Sequence, residues 1–267
     1  MEGSPITSFA ATARRLLADF DSASVTESGE AWSEAEAYAI ASELDRMRAA
    51  RGERLVGFKV GCTSPTIQKQ VGIDNPVFGR LYDTGVWHTG VSLNGGRFSG
   101  PAIEGELAVK LCADLGIDDT SDDTLMRAIG STIPVIELHH GAFMATATTT
   151  GHAAPRLIAN NAVHAGFVEG AGKSGFSLAS GKLTISVVEP EHEAAEPRFI
   201  EAVGPEITRV VLDSLAWLTK RLQHDNLRPL AGQTILCGSV PPMLPVTTPC
   251  EVHVDAGDLG TVACSLL

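Results

Sequence analysis

The segment Ile103-Glu104-Gly105-Glu106-Leu107-Ala108-Val109 sets two carboxylates one residue apart in an otherwise aliphatic run, and Glu137 stands inside Ile133-Pro134-Val135-Ile136-Glu137-Leu138. Alternate side chains of a strand share a face. As a strand, Glu104, Glu106, Ala108 and Lys110 would line one side, and Ile103, Leu107, Val109 and Leu111 the wholly aliphatic other. On a helix the two carboxylates would diverge by about 200°. The aliphatic face must meet a core, and the acidic face must be solvated or neutralised. A solvated strand edge is one reading, because Glu-x-Glu is ordinary there. Glu137, flanked by Ile136 and Leu138, needs a partner, and one divalent cation held by three carboxylates answers all of these charges. Carboxylates left close together would raise one another's pKa. Mg²⁺ or Mn²⁺ suits an oxygen-only set with open water positions. A metal-dependent enzyme with Glu104, Glu106 and Glu137 as ligands is therefore expected. His139 would share the Glu137 face as a ligand, an outer donor or a satisfied core residue; the last two are preferred, since an all-oxygen set requires no imidazole.

Lys59, in Gly57-Phe58-Lys59-Val60-Gly61, is the next candidate. A partly buried lysine can stabilise an enolate oxygen or bind a carboxylate; a surface lysine lying along apolar neighbours is the plainer alternative. Composition narrows the partners. The net charge of −12, with no Lys/Arg cluster, disfavours nucleic acid and anionic membranes. No apolar run approaches a membrane span. Five scattered cysteines without a Cys-x-x-Cys pair argue against a disulfide framework or a structural zinc. Met-Glu-Gly-Ser-Pro at the start lacks a basic-then-apolar leader pattern, so a cytoplasmic protein is expected.

Residues 1–52 read as a helical arm, and 53–267 as a β-rich catalytic domain. Phe9, Ala13, Leu16, Leu17 and Phe20 recur at helical spacing, and Ser33-Glu34-Ala35-Glu36 is a capping-box pattern ahead of the stripe Ala37, Ile40, Ala41, Leu44, Met47. Strands are expected near 55–61, 103–111, 133–139, 182–188, 233–237 and 250–255. Helices are expected near 122–130, with Ser121 as N-cap, and near 206–224. The Thr-, Ala- and His-rich stretch 144–155 has no period and reads as a loop.

Gly57-Phe58-Lys59-Val60-Gly61-Cys62-Thr63-Ser64 and Gln68-Lys69-Gln70-Val71-Gly72-Ile73-Asp74-Asn75-Pro76-Val77-Phe78-Gly79 resemble the signature of 2-hydroxypenta-2,4-dienoate (2-keto-4-pentenoate) hydratases and 4-oxalocrotonate decarboxylases, in the fumarylacetoacetate-hydrolase-like superfamily. Pro101-Ala102-Ile103-Glu104-Gly105-Glu106, Pro134-Val135-Ile136-Glu137, Asn160-Asn161-Ala162, Leu230-Ala231-Gly232-Gln233-Thr234-Ile235-Leu236-Cys237-Gly238-Ser239 and Gly257-Asp258-Leu259-Gly260-Thr261-Val262 follow in the family's order. The resemblance implies an α+β fold: a mixed β-roll-like core, as in the C-terminal part of fumarylacetoacetate hydrolase, with peripheral helices and the helical arm. It implies Mg²⁺ or Mn²⁺ on Glu104, Glu106 and Glu137, and a 2-oxo acid from ring-cleavage (aromatic compound) catabolism as substrate. Lys59 would be catalytic, and Lys59, Asn161, Gly238 and Ser239 would contact the substrate. For Gly238 and Ser239 a structural strand-end turn is the equal alternative. A homo-oligomer is implied, or a complex with a homologous decarboxylase or hydratase.

The chain departs from the family where acids are usual. Val77 stands for Asp after the proline, Arg156-Leu157-Ile158-Ala159-Asn160-Asn161 lacks both acids of Asp-Thr-Val-Ala-Asp-Asn, and Leu-Gly-x-Pro is gone near Gly204-Pro205-Glu206. Proton transfer needs a titratable group within reach, and His88, His139, His140, His152 and His164 are the substitutes available. Hydration is the expected reaction. Decarboxylation, C–C hydrolysis, tautomerisation or a non-catalytic partner role are the alternatives.

Overall fold

The computed structural model describes residues 5–26, 30–144, 153–175, 182–189, 198–239 and 241–267. Two sheets form its centre. The larger runs β2 (Val77–Tyr82), β1 (Leu55–Gly61), β11 (Thr234–Leu236), β5 (Pro101–Leu111), β6 (Ile129–His140), β7 (His164–Glu169) and β3 (Val86–His88), with β12 (Leu244–Pro245) on β5 and β8 (Lys173–Ser174) on β6. The smaller runs β10 (Arg198–Val203), β9 (Lys182–Val188), β13 (Cys250–Asp255), β14 (Thr261–Leu266) and β4 (Val91–Leu93).

Why the sheets stack follows from alternation. Along β13, Cys250, Val252 and Val254 are buried while Glu251, His253 and Asp255 face out, the pattern of a sheet with one wet face. The aliphatic face of β5 carries Ile103, Leu107 and Val109 into the main core. Between them Gly105 lets the smaller sheet approach: a Cβ there would lie 2.5 Å from Ile185 Cγ1 and 2.9 Å from Val254 Cγ2. The opposite face of β5 is thereby left for the carboxylates.

The helices Pro5–Asp21 and Glu34–Ala50 pack onto this body rather than standing apart from it. Ser33 and Glu36 form the capping box in full, and Ala37, Ile40, Ala41 and Leu44 join the same core as the sheets. Tyr38 stacks on Phe78 of β2, with ring centroids 4.9 Å apart, and Arg48 sits between Phe20 and Tyr82 while pairing with Glu53 at 2.9 Å. Helix Asp122–Ala128 starts on Ser121, whose Oγ accepts from Thr124 N–H. Helix Gly204–Leu222 buries Ile207, Val211, Leu215, Leu218 and Leu222, and its Ser214 Oγ donates to Cys237 O at 2.7 Å. No disulfide joins the five cysteines. The stretch expected to be a loop divides: 145–152 lies outside the described residues, and Ala153–Ala159 is a helix. None of the described helices is long and apolar enough to cross a membrane.

Candidate metal centre

Register assembles the acidic face. Across β5 and β6, Glu104 is the Cα partner of Glu137, Glu106 of Val135, and Ala102 of His139. Glu104, Glu106, Glu137 and His139 therefore project to one side. Lys59 arrives along the row Gly79, Lys59, Leu236, Ala108, which crosses β2, β1, β11 and β5. Leu81, Ala108, Ile133, Val135, Phe167 and Leu236 form an apolar cluster on the larger sheet.

Glu137 is the hub. It is 1% exposed, and its Oε1 lies 3.0 Å from Lys59 Nζ and 2.6 Å from His164 Nδ1. Burial would raise its pKa, yet Lys59, His139 and the His164 hydrogen bond together hold it well below the usual carboxylate range. Burial likewise opposes the charge on Lys59, but Glu137, Glu104 and Glu106 raise its pKa, so the ammonium is retained. Burial lowers the pKa of His164, which is neutral and donates from Nδ1 to Glu137. His164 is the member of the cluster least visible in the sequence, being one of eight histidines with no motif to single it out.

Glu106 behaves differently. It is 2% exposed, and neither carboxylate oxygen has a hydrogen-bond partner. Burial, then the charges of Glu137 and Glu104, push its pKa well above the usual range. Glu137 Oε2 and both ring nitrogens of His139 are also buried without hydrogen bonds, although His139 Nε2 lies 3.2 Å from Glu104 Oε2 and 3.7 Å from Glu137 Oε2. Of the three readings the sequence left for His139, ligand, outer donor and satisfied core residue, the unpaired ring nitrogens speak against the last. Ligating atoms of Glu104, Glu137 and His139 lie within 4.8 Å of one another. With all three carboxylates ionised against one ammonium the site would carry two negative charges, and burial together with this excess pushes Glu106 toward its neutral form. A hard divalent cation is the group that both balances this charge and occupies the orphaned oxygens.

Over the cluster opens a cavity of about 490 Å³, reached by Lys59, Glu104, His139, Ala162, Gly238 and Ser239. One wall is a left-handed turn: Asn161, Ala162 and Val163 have φ of 55°, 52° and 57°, unfavourable for non-glycine residues and most of all for a β-branched one. Asn161 holds the turn in place. Its Oδ1 accepts from Arg80 N–H at 2.6 Å and its Nδ2 donates to Arg80 O at 2.9 Å. Gly79 makes room, since a Cβ there would lie 2.6 Å from Asn161 O. The turn then presents Ala162 O to Lys59 Nζ at 3.1 Å. Asn161, expected to contact substrate, is thus turned onto β2 and absent from the cavity lining among the described residues; its amide has a backbone to satisfy.

Gly238 and Ser239 do line the cavity, with Ser239 Oγ donating to Gly105 O at 2.9 Å. Val77 is buried in β2, and Asn160 Nδ2 donates to Arg156 O at 2.9 Å, so neither position restores an acid. His88 is exposed, and His140 Nδ1 accepts from Ser99 N–H at 3.1 Å away from the cavity lining; His152 lies outside the described residues. Cys62 lines the cavity as a thiol, because burial raises its pKa to about 11.

No protein-family model matches the chain. Among curated proteins it is similar to the 2-oxo-hept-4-ene-1,7-dioate hydratase of Escherichia coli, 29% identical over 236 residues that span 86% of this chain and 85% of that one. It is 30% identical over 231 residues to the TodF product hydratase of Pseudomonas putida, spanning 86% of this chain and 82% of that one. Among solved structures, 4-oxalocrotonate decarboxylase from Pseudomonas putida G7, complexed with magnesium and adipate, shares the fold at a TM-score of 0.83 and 22% identity over 98% of each chain. Fumarylpyruvate hydrolase from Pseudomonas aeruginosa, in complex with Mn²⁺ and pyruvate, gives a TM-score of 0.56 at 12% identity, covering 79% of this chain and 88% of that one.

Proposed function

The chain belongs to the 2-keto-4-pentenoate hydratase and 4-oxalocrotonate decarboxylase family of the fumarylacetoacetate-hydrolase-like superfamily, and from that premise we propose a divalent-metal-dependent hydro-lyase that hydrates a 2-hydroxydienoate or 2-oxo-alkenoate acid. The observation that carries the reading is the set of buried, partnerless oxygens of Glu106 and Glu137, set beside Lys59 and Glu104, which line a ligand-sized cavity.

We assign Glu104, Glu106 and Glu137 to hold the ion, magnesium or manganese by analogy with the relatives' fold partners. Bound there, the ion supplies Lewis-acid polarisation of a 2-oxo acid. The chain's own groups do the rest. Lys59 has three donors; one goes to Glu137 and one to Ala162 O, which leaves one for the oxygen on which negative charge develops as the dienol becomes an unsaturated ketone. The backbone N–H groups of Gly238 and Ser239 are the donors offered to the substrate carboxylate, since the Ser239 hydroxyl proton is given to Gly105. His139, on the cavity wall, is the titratable group in reach for moving a proton when water adds in conjugate fashion. The 4.8 Å grouping of Glu104, Glu137 and His139 supports a second ligand set in which imidazole replaces Glu106; substitution at Glu106 separates the two.

The test is turnover by the purified chain alone, with Mg²⁺ or Mn²⁺, on short 2-hydroxydienoates. Loss of dienol absorbance without CO₂ release is expected. CO₂ release would make the enzyme a decarboxylase, and absence of turnover across the series would refute the hydro-lyase assignment.

A further inference from the structure

Away from the carboxylates, the cavity wall combines apolar side chains such as Leu157, Val163 and Met243 with the neutral polar ones of Thr63, Ser64, Thr66 and Gln70. Among the described lining residues Lys59 is the one lysine or arginine, and it is bound at the carboxylate end to Glu137 and Ala162 O. Lys69 belongs to helix Pro65–Val71, whose Thr66, Ile67, Gln70 and Val71 line the cavity; at about 100° per residue the helix turns Lys69 to its other side. Ser64 Oγ accepts from Ile67 N–H in capping that helix, and like the other polar groups on this wall it is neutral. A second substrate carboxylate, far from the metal, would find neutral groups and no cation among the described lining residues, in a site already carrying three acidic side chains. Leaving such a charge unpaired is costly, and a site without the matching partner discriminates strongly. Space permits it: a cavity of about 490 Å³ has room for a tail longer than that of a five-carbon 2-oxo acid.

Resting on the hydratase reading, we propose that the preferred substrate carries a single carboxylate, taken at the metal end, and an uncharged apolar tail longer than that of 2-hydroxypenta-2,4-dienoate, and that dicarboxylic acids are rejected. The test is calorimetry on the full chain with Mg²⁺ and a matched pair of unreactive acids, 2-oxohexanoate and 2-oxoadipate, which differ at the far end by methyl against carboxylate. At least about tenfold weaker binding of 2-oxoadipate is expected, and Met243→Arg, which adds a cation to the wall, should narrow or reverse the gap. Equal or tighter binding of 2-oxoadipate by the unaltered chain overturns the proposal. Preference for 2-oxohexanoate without turnover of any dienoate supports it while removing the hydratase reading. Faster hydration of a 1,7-dioate than of its monoacid does the opposite, and failure of both acids to bind refutes both.

Discussion

Replacing Glu106 by Gln separates a metal ligand from a structural acid. The residue is 2% exposed, both oxygens lack partners, and burial beside Glu137 and Glu104 raises its pKa well above the usual range. In the metal-free protein at neutral pH the carboxyl is therefore held toward its neutral form, and a glutamine of the same shape substitutes with little change. We expect the metal-free stability to move by less than about 1 kcal/mol, a melting shift under about 4 °C. With a cation bound, Glu106 must supply a negative charge that glutamine lacks. At a metal concentration about 100-fold above Kd the wild type gains about 2.7 kcal/mol, which is about 5–10 °C for a chain of this size. If the variant binds roughly 100-fold more weakly, the same concentration sits near its Kd and the gain falls to about 0.4 kcal/mol. Scanning calorimetry with EDTA and with Mg²⁺, alongside a titration for Kd, reads each of these quantities. A wild-type Mg²⁺ shift in the variant would refute Glu106 as a ligand and favour the set containing His139. A metal-free variant unstable by several kcal/mol would instead identify a permanent structural charge.

Lys59→Met keeps most of the volume and removes the donor; turnover should fall roughly 100-fold or more while metal Kd changes by less than about tenfold, and a normal kcat would remove its catalytic role. Asn161→Ala strips two hydrogen bonds from a strained left-handed turn, so a loss of about 2 kcal/mol and about 4–8 °C in melting temperature is expected; an unchanged Tm would show that the turn holds itself. His140 is buried, and burial lowers its pKa to about 4. Its folded value lies below the unfolded one, so stability is full above about pH 6.5 and is lost as pH falls toward 4, by up to about 3 kcal/mol. His140→Phe should lack that component of the acid-side slope, and identical slopes for variant and wild type would contradict it.

The acidic centre was legible because a period of two carries exact information. Glu104 and Glu106 had to share a face, and an aliphatic opposite face had to be buried; the register that pairs Glu104 with Glu137 adds what local pattern lacks. The capping box at Ser33 and the N-cap at Ser121 were equally local and appear as read. Asn161 shows where such reasoning stops. Its motif marked it as important, but its role follows from a partner, Arg80, distant in sequence, and from an empty space at Gly79. Strands β7 and β14 escaped for a related reason: His164–Glu169 pairs in parallel with Val86–His88, and Thr261–Leu266 with Val91–Leu93, partners distant in sequence. Helix Ala153–Ala159 lay hidden because nearly all of it is buried, which erases the amphipathic period.

The most direct measurement is anomalous scattering at the manganese edge from crystals grown with Mn²⁺. One strong peak is expected, with carboxylate oxygens of Glu104, Glu106 and Glu137 at about 2.2 Å, beside Lys59. A peak elsewhere, or one ligated without Glu106, would contradict it.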